Sequence, residues 1–322
     1  MCRPKMTALQ EIWCGLDHAC GCAPAARVPI FPPMSPSATA RLQLVGAALL
    51  FSTGGAAIKA AEFSGWQIAS FRSGFAALTL LLLAPASRRG WTWQTVVVGC
   101  SYAACLTLFV LANRLTTAAN TIFLQSTAPL YVLILAPWLL KEPVRHRDIG
   151  FMAVLALGLV LFFVGVDQPA ATAPHPARGN LLAVTSGVFW ALTVCGLRWL
   201  TTGSGRGSPI AAVTAGNLTA FLVALPLALP IEAHALADWS VLLYLGVFQI
   251  AVAYLLVTSA ISQIPAVEAS MILLIEPALN PIWAWLMQGE VPGIWALVGG
   301  GLILGATTAK SWTERRVEAP VT

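Results

Sequence analysis

Glu276 is the residue most able to do chemistry in this chain. It sits about halfway along QIPAVEASMILLIEPALNPIWAWLMQGEVP (263–292), an apolar run long enough to cross a bilayer, with Pro277 beside it. An ionised carboxylate near the bilayer centre costs on the order of 3 kcal/mol by insertion scales, so such residues are seldom kept without a use. The acid is either a neutral hydrogen-bonder between helices or a proton carrier. Pro277 removes the ladder bond to Leu273 and Pro281 the one to Pro277, so the helix is predicted to break or bend beside its own acid. Freed carbonyls next to a carboxylate at mid-depth suit an ion or substrate pathway.

Other polar residues inside apolar runs are candidates for the same pathway. Asn280 lies one turn beyond Glu276, on the same helical face, where it orients a ligand or satisfies exposed backbone. Glu268, two turns before Glu276, is placed either in the pathway or snorkelling to the interface. In an earlier run Gln125 precedes Pro129 by four residues, so its own carbonyl is the one that proline frees. Asn120 and Gln125 line the same cavity or bond between helices. Arg72, in WQIASFRSGFAAL, lies roughly 9 Å from its helix start at 1.5 Å per residue. It pairs with an acid, attracts an anionic substrate group, or snorkels outward. Lys59, nearer a helix end, is expected to snorkel.

Motifs for bond-making chemistry are missing from the sequence. There is no H-E-x-x-H, no G-x-S-x-G and no Walker loop. Cys14, His18, Cys20 and Cys22 match no standard zinc spacing. No cofactor or metal is expected, and ATP-driven transport by this chain alone is disfavoured. An ion gradient, protons included, or substrate exchange remains as the driving force.

The elements that must position these residues follow from composition. Only 10% of the 322 residues are charged and 58% are hydrophobic, with mean hydropathy +0.79. Ordinary soluble domains carry about 25% charged residues, so the chain reads as an all-α integral membrane protein whose main partner is the lipid bilayer. The net charge of +5 forms no stripe and argues for topology rather than nucleic acid. Cys100, Cys105 and Cys195 lie in apolar runs and are expected to pack as small hydrophobes. Residues 1–40, rich in Pro, Ala and Cys, are expected to be a disordered tail; Met34 opens MSPSATARLQ, an alternative start leading into the first membrane helix.

Ten apolar runs follow, at 42–60, 65–85, 93–112, 116–139, 148–166, 179–200, 209–230, 239–259, 264–287 and 292–310. The loop 167–178 divides them into 41–166 and 179–310, and 311–322 is a tail. With the N-terminus inside, fourteen basic residues fall on the cytoplasmic side, against Lys59, Arg114 and Arg178 opposite. Leaving out the first 33 residues makes it eleven against three. Both termini are therefore expected in the cytoplasm. The halves repeat: APLYVLILAPWLLKE (128–142) lies over EPALNPIWAWLMQGE (276–290) at an offset of 148, and LLFSTGGAAIK (49–59) over VFWALTVCGLR (188–198) at 139. Five helices is an odd number, so the second copy enters from the opposite face, as in inverted-repeat transporters. Glu142 and Glu290 occupy matching interface positions. Trp91, Trp93, Trp138, Trp283 and Trp285 suit interfacial belts. Gly54-Gly55 and Gly301-x-x-x-Gly305 are expected to allow close helix contact.

At this point the chain resembles the drug/metabolite transporter superfamily, specifically proteins with two EamA domains. The resemblance rests on LLFSTGGAAIK, on FRSGFAAL with its arginine, and on ANRLTTAANTIFLQSTAPLYVLILAPWLLKE with the Asn113-x-x-Thr116 turn. The last recurs in shortened form as SQIPAVEASMILLIEPALNPIWAWLMQGE. It implies ten helices in two inverted five-helix repeats, a central cavity, and often export of amino acids, metabolites or drugs. Some relatives import, and others handle nucleotide sugars or phosphorylated sugars. The reading is an inner-membrane secondary transporter with a small-molecule substrate. The alternatives are an importer of the same superfamily, a membrane enzyme acting on a lipid-linked substrate, or a polytopic scaffold without flux.

Overall fold

The computed structural model describes residues 36–139, 146–164, 170–201, 207–231, 235–260, 263, 269 and 272–318. The expected tail before Pro36, and with it Cys14, His18, Cys20 and Cys22, lies outside the described residues, as do Lys141, Glu142 and Glu268. Among the described residues the structure is helical, with a single isolated β-bridge between Ala170 and Ala173. The order is α1 (Pro36–Ser52), α2 (Gly54–Ala60), α3 (Gly65–Leu83), α4 (Trp93–Leu115), α5 (Ala118–Gln125), α6 (Ala128–Leu139) and α7 (His146–Val164). Then come α8 (Pro176–Thr201), α9 (Pro209–Ala228), α10 (Leu236–Tyr244), a π-helix (Leu245–Val252), α11 (Ala253–Ala260), α12 (Ile275–Gln288) and α13 (Ile294–Glu318). The last helix continues past the expected end at 310 into the expected tail.

Seven described segments are long and apolar enough to cross a membrane: Ser37–Ala60, Gly65–Leu83, Trp93–Leu115, Ala118–Leu135, Pro176–Thr201, Pro209–Ala228 and Leu236–Ala260. Asp148–Val164 is apolar but shorter. Hydroxyl side chains start several helices by accepting the backbone N–H groups that the first turn leaves unpaired. Ser64 does so from Gln67, whose amide bonds back to the Ser64 N–H, and Thr92, Thr117 and Ser208 cap α4, α5 and α9. Ser64→Ala is expected to cost about 1 kcal/mol, read as a lower melting point of the detergent-purified protein.

Helix ends gather in two layers. In one, Glu62 N–H donates to Asp238 Oδ1 and Gln67 Nε2 to Ala228 O, joining the starts of α3 and α10 and the end of α9. Thr116 Oγ1 donates to Asn180 Oδ1 in the same layer, tying the end of α4 to the start of α8. In the other layer Gly90 meets Ser208, Ala40 and Leu44 pack with Ala260 and Ala269, and Lys310 pairs with Asp148.

The lateral packing is two-fold. α4 packs on α8 as α11 packs on α1; α3 packs on the π-helix as α9 packs on α4; α5 and α6 pack on α8 as α12 packs on α1 and α2. The pairs α3–α9, α7–α13 and α5–α12 map onto themselves when the first and second halves are exchanged. Close approach at these crossings uses glycine. A Cβ on Gly99 would lie 3.0 Å from the Gly216 backbone nitrogen. The expected Gly301-x-x-x-Gly305 contact is not made, because a Cβ at either position would meet nothing within 4 Å. The contact face of α13 is turned to Gly299, beside Phe162 and Gly158, and Gly300, beside Phe123.

Candidate functional site

The prolines place two helix breaks at equivalent positions. α5 ends at Gln125, Ser126 and Thr127 form a turn, and α6 restarts at Ala128 with Pro129 in its first turn. In the second half the turn is at Leu274, 148 residues after Ser126, and α12 starts at Ile275 with Pro277 in its first turn. A proline in a first turn costs no ladder bond, because those N–H groups have no helical acceptor. Each helix therefore breaks just upstream of its proline, and Glu276 falls just after the break. Pro281 does not break the helix: α12 is continuous to Gln288.

α5 begins where α12 ends, since Ala118 N–H donates to Glu290 Oε2 at 2.9 Å. The end of α5 and the start of α12 meet again around one cavity, so these two helices are antiparallel. The cavity has a volume of about 220 Å³. Gln125 and Ser126 at one break and Leu273, Glu276 and Pro277 at the other form part of its wall. Arg72 of α3, Tyr102 and Cys105 of α4, and Gln249 of the π-helix add polar groups. Phe51, Phe109, Trp190 and Tyr254 supply an aromatic surface. Phe51 and Trp190 are 139 residues apart and Gln125 and Leu273 are 148 apart, the two offsets of the sequence repeat. Matching positions of the two halves thus face one space.

Of the residues singled out in the sequence, Glu276, Gln125, Arg72 and Pro277 come together at this cavity. Glu276 is half-buried there. Gln125 Nε2 donates to Ser186 Oγ at 2.8 Å, which holds the amide against α8. Arg72 is 2% exposed, so it does not snorkel, and among the described residues no carboxylate lies within ion-pair distance of it. Cys105 touches Ser186 and Gln125, so it lies in a polar setting. Two candidates sit elsewhere. Asn280 is buried against Gly55, outside the cavity wall. Asn120 donates to Thr116 Oγ1 and Asn180 Oδ1 and so ties α5 to α8. Trp283 donates to Ser52 Oγ, an interhelical tie rather than a belt position.

Lys59 and Glu290 form a buried ion pair that the sequence did not disclose. Lys59 Nζ lies 2.8 Å from Glu290 Oε1, with the side chains 4% and 2% exposed. The ammonium also donates to the Thr116 and Thr172 carbonyls. Glu290 Oε2 accepts from the first N–H of α5, where a negative charge is favoured by the helix dipole. One pair thus fastens α2, the end of α4, α5, the end of α12 and the 170–173 turn together, in the layer of helix ends that also holds Thr116 and Asn180. The lining residues Tyr102, Trp190, Gln249 and Tyr254 were also missed. Only the Phe51–Trp190 match at offset 139 hinted at any of them; Gln249 owes its position to the π-helix, a geometry frequent at functional sites. Among the described residues no group of three or more His, Cys, Asp or Glu converges as a metal site.

An all-helical membrane protein with paired helix breaks around a largely apolar cavity that holds a few polar side chains has the architecture of a transporter. The model of the EamA-like transporter family matches residues 39–164 and again 177–309, and the chain belongs to that family. It is 26% identical over 225 residues to an uncharacterised transporter of Clostridium kluyveri, covering 66% of this chain and 71% of that one. It is 28% identical over 184 residues to the uncharacterised transporter YetK of Bacillus subtilis, with 55% and 53% covered. The threonine/homoserine exporter RhtA of Escherichia coli is 26% identical over 212 residues, with 65% and 68% covered. A crystal structure at 17% identity covers 88% of this chain and 99% of its own, with a TM-score of 0.57, and shares the fold.

Proposed function

We propose that this EamA-family transporter is a secondary exporter of a small, amino-acid-like metabolite, working by alternating access across the inner membrane. Ten segments cross the bilayer in two inverted five-helix repeats, with both termini in the cytoplasm. The observation that carries the reading is the pair of antiparallel broken helices, α5–α6 and α12, meeting at a cavity that holds Glu276. Related breaks let two halves rock around a fixed site. The two-fold packing and the two layers of helix ends support the inverted arrangement, and likeness to an amino-acid exporter supports direction and substrate class. Glu276 carries the coupling proton, and no cofactor is required.

Reconstitution into liposomes tests this, with counterflow of labelled amino acids followed across an imposed pH gradient. Glu276→Gln is expected to abolish the response to the gradient and to lower flux about tenfold or more, the effect of losing one charge-assisted contact worth roughly 1.5–3 kcal/mol. Unchanged flux with an unchanged pH response removes Glu276 from the mechanism.

A further inference from the structure

Among the described residues no carboxylate pairs directly with Arg72. Arg72 forms part of the cavity wall, and its Nε and Nη1 are buried and have no hydrogen-bond partner among the described residues. Among the described residues the titratable groups that share the cavity wall with it are Tyr102, Tyr254, Cys105 and Glu276. Arginine stays protonated in proteins, and a buried, unpaired cation is costly. A guanidinium in that position is completed by a carboxylate, whose two oxygens match its planar fork.

The rest of the wall restricts what the carboxylate belongs to. Phe51, Tyr102, Phe109, Trp190 and Tyr254 present rings to the cavity, with Tyr254 in edge contact with Phe51 and with Tyr102 at 5.3 and 5.6 Å between centroids. Such surfaces favour an apolar or ring-bearing body over a short hydroxylated one. A volume of about 220 Å³ falls below the ~300–1,000 Å³ of drug-sized sites, which points to a small metabolite. Glu276 supplies the opposite charge on the same wall.

We propose that Arg72 anchors the carboxylate of the transported substrate. The substrate is a small zwitterion whose side chain is apolar or aromatic, its ammonium directed at Glu276. This deepens the transport reading and rests on it for the word substrate, but not for binding.

Binding to the detergent-purified protein tests it, by calorimetry with four probes: L-phenylalanine, L-threonine, 3-phenylpropanoate (no amine) and phenethylamine (no carboxylate). The wild type is expected to bind phenylalanine tightest and phenethylamine at least about tenfold more weakly. Arg72→Gln is expected to weaken phenylalanine and 3-phenylpropanoate by a similar factor and leave phenethylamine unchanged; Arg72→Lys recovers part of the loss. If Arg72→Gln fails to fold, the wild-type series decides. Phenethylamine binding as tightly as phenylalanine overturns the anchor, and threonine binding tighter than phenylalanine overturns the apolar side chain. Liposome counterflow separates the two readings. The predicted binding order without counterflow sinks transport and leaves the anchor, whereas flux of a substrate lacking a carboxylate sinks the anchor and leaves transport.

Discussion

Lys59→Met is expected to destabilise the protein by about 3–5 kcal/mol, the usual cost of removing one partner from a buried ion pair. The reason lies in what remains. Glu290 would keep the Ala118 N–H but lose the ammonium 2.8 Å away, leaving a carboxylate that is 2% exposed without a counter-charge. The Thr116 and Thr172 carbonyls would lose their donor at the same time. Glu290→Gln should cost less, because the amide oxygen can still accept from Ala118. The double variant Lys59→Met/Glu290→Gln should be more stable than the sum of the single losses, since neither charge is then stranded. Thermal melts of the four proteins in detergent give the coupling directly, and additive losses would show that the pair contributes nothing as a pair. The substitution should also loosen one end of the bundle. Cys105 lines the cavity, so in a variant with its other cysteines replaced, an impermeant thiol reagent should reach it faster from the Lys59 side.

The break positions were legible because proline removes a hydrogen bond whatever surrounds it. Pro129 and Pro277, 148 residues apart, announced two equivalent interruptions, and both are present. Their location within the turn was not legible, since a helix can restart upstream and take the proline into its first turn. Asn280 shows the limit of helical spacing. Four residues beyond Glu276 it keeps the same face, but α12 has by then left the cavity and run into Gly55. Apart from the Phe51–Trp190 match, the aromatic wall was not legible. Phe51, Phe109, Trp190 and Tyr254 sit in apolar runs where any ring looks like lipid-facing or core surface. Lys59 and Glu290 are 231 residues apart, and each alone resembles an ordinary helix-end charge. Gly301-x-x-x-Gly305 failed for a related reason: a small-residue motif shows that contact is allowed, not which way the helix is turned.

Gly246→Val is expected to be among the most damaging single changes in the membrane region, and its cause bears on the cavity. Gly246 lies in the π-helix where it crosses α3. A Cβ there would stand 2.5 Å from the Arg72 carbonyl oxygen and 2.5 Å from Phe75 Cβ, with the Ala76 nitrogen at 3.0 Å. Two of these three atoms are backbone, so no rotamer change makes room, and the helices must separate. Overpacking of this kind costs about 1–3 kcal/mol and sometimes more, and valine, with three added carbons, belongs at the upper end. Arg72 is displaced with its own backbone. Gly246→Ala carries the same clashing Cβ and should therefore lower both the melting temperature and ligand binding, less severely than valine. Gly301→Ala is the matched control: nothing lies within 4 Å of its added Cβ, and alanine exceeds glycine in helix propensity by about 1 kcal/mol. It should melt at or above the wild-type temperature and bind normally. If Gly246→Ala does the same, α3 is not held against the π-helix by that contact, and the placement of Arg72 needs another explanation.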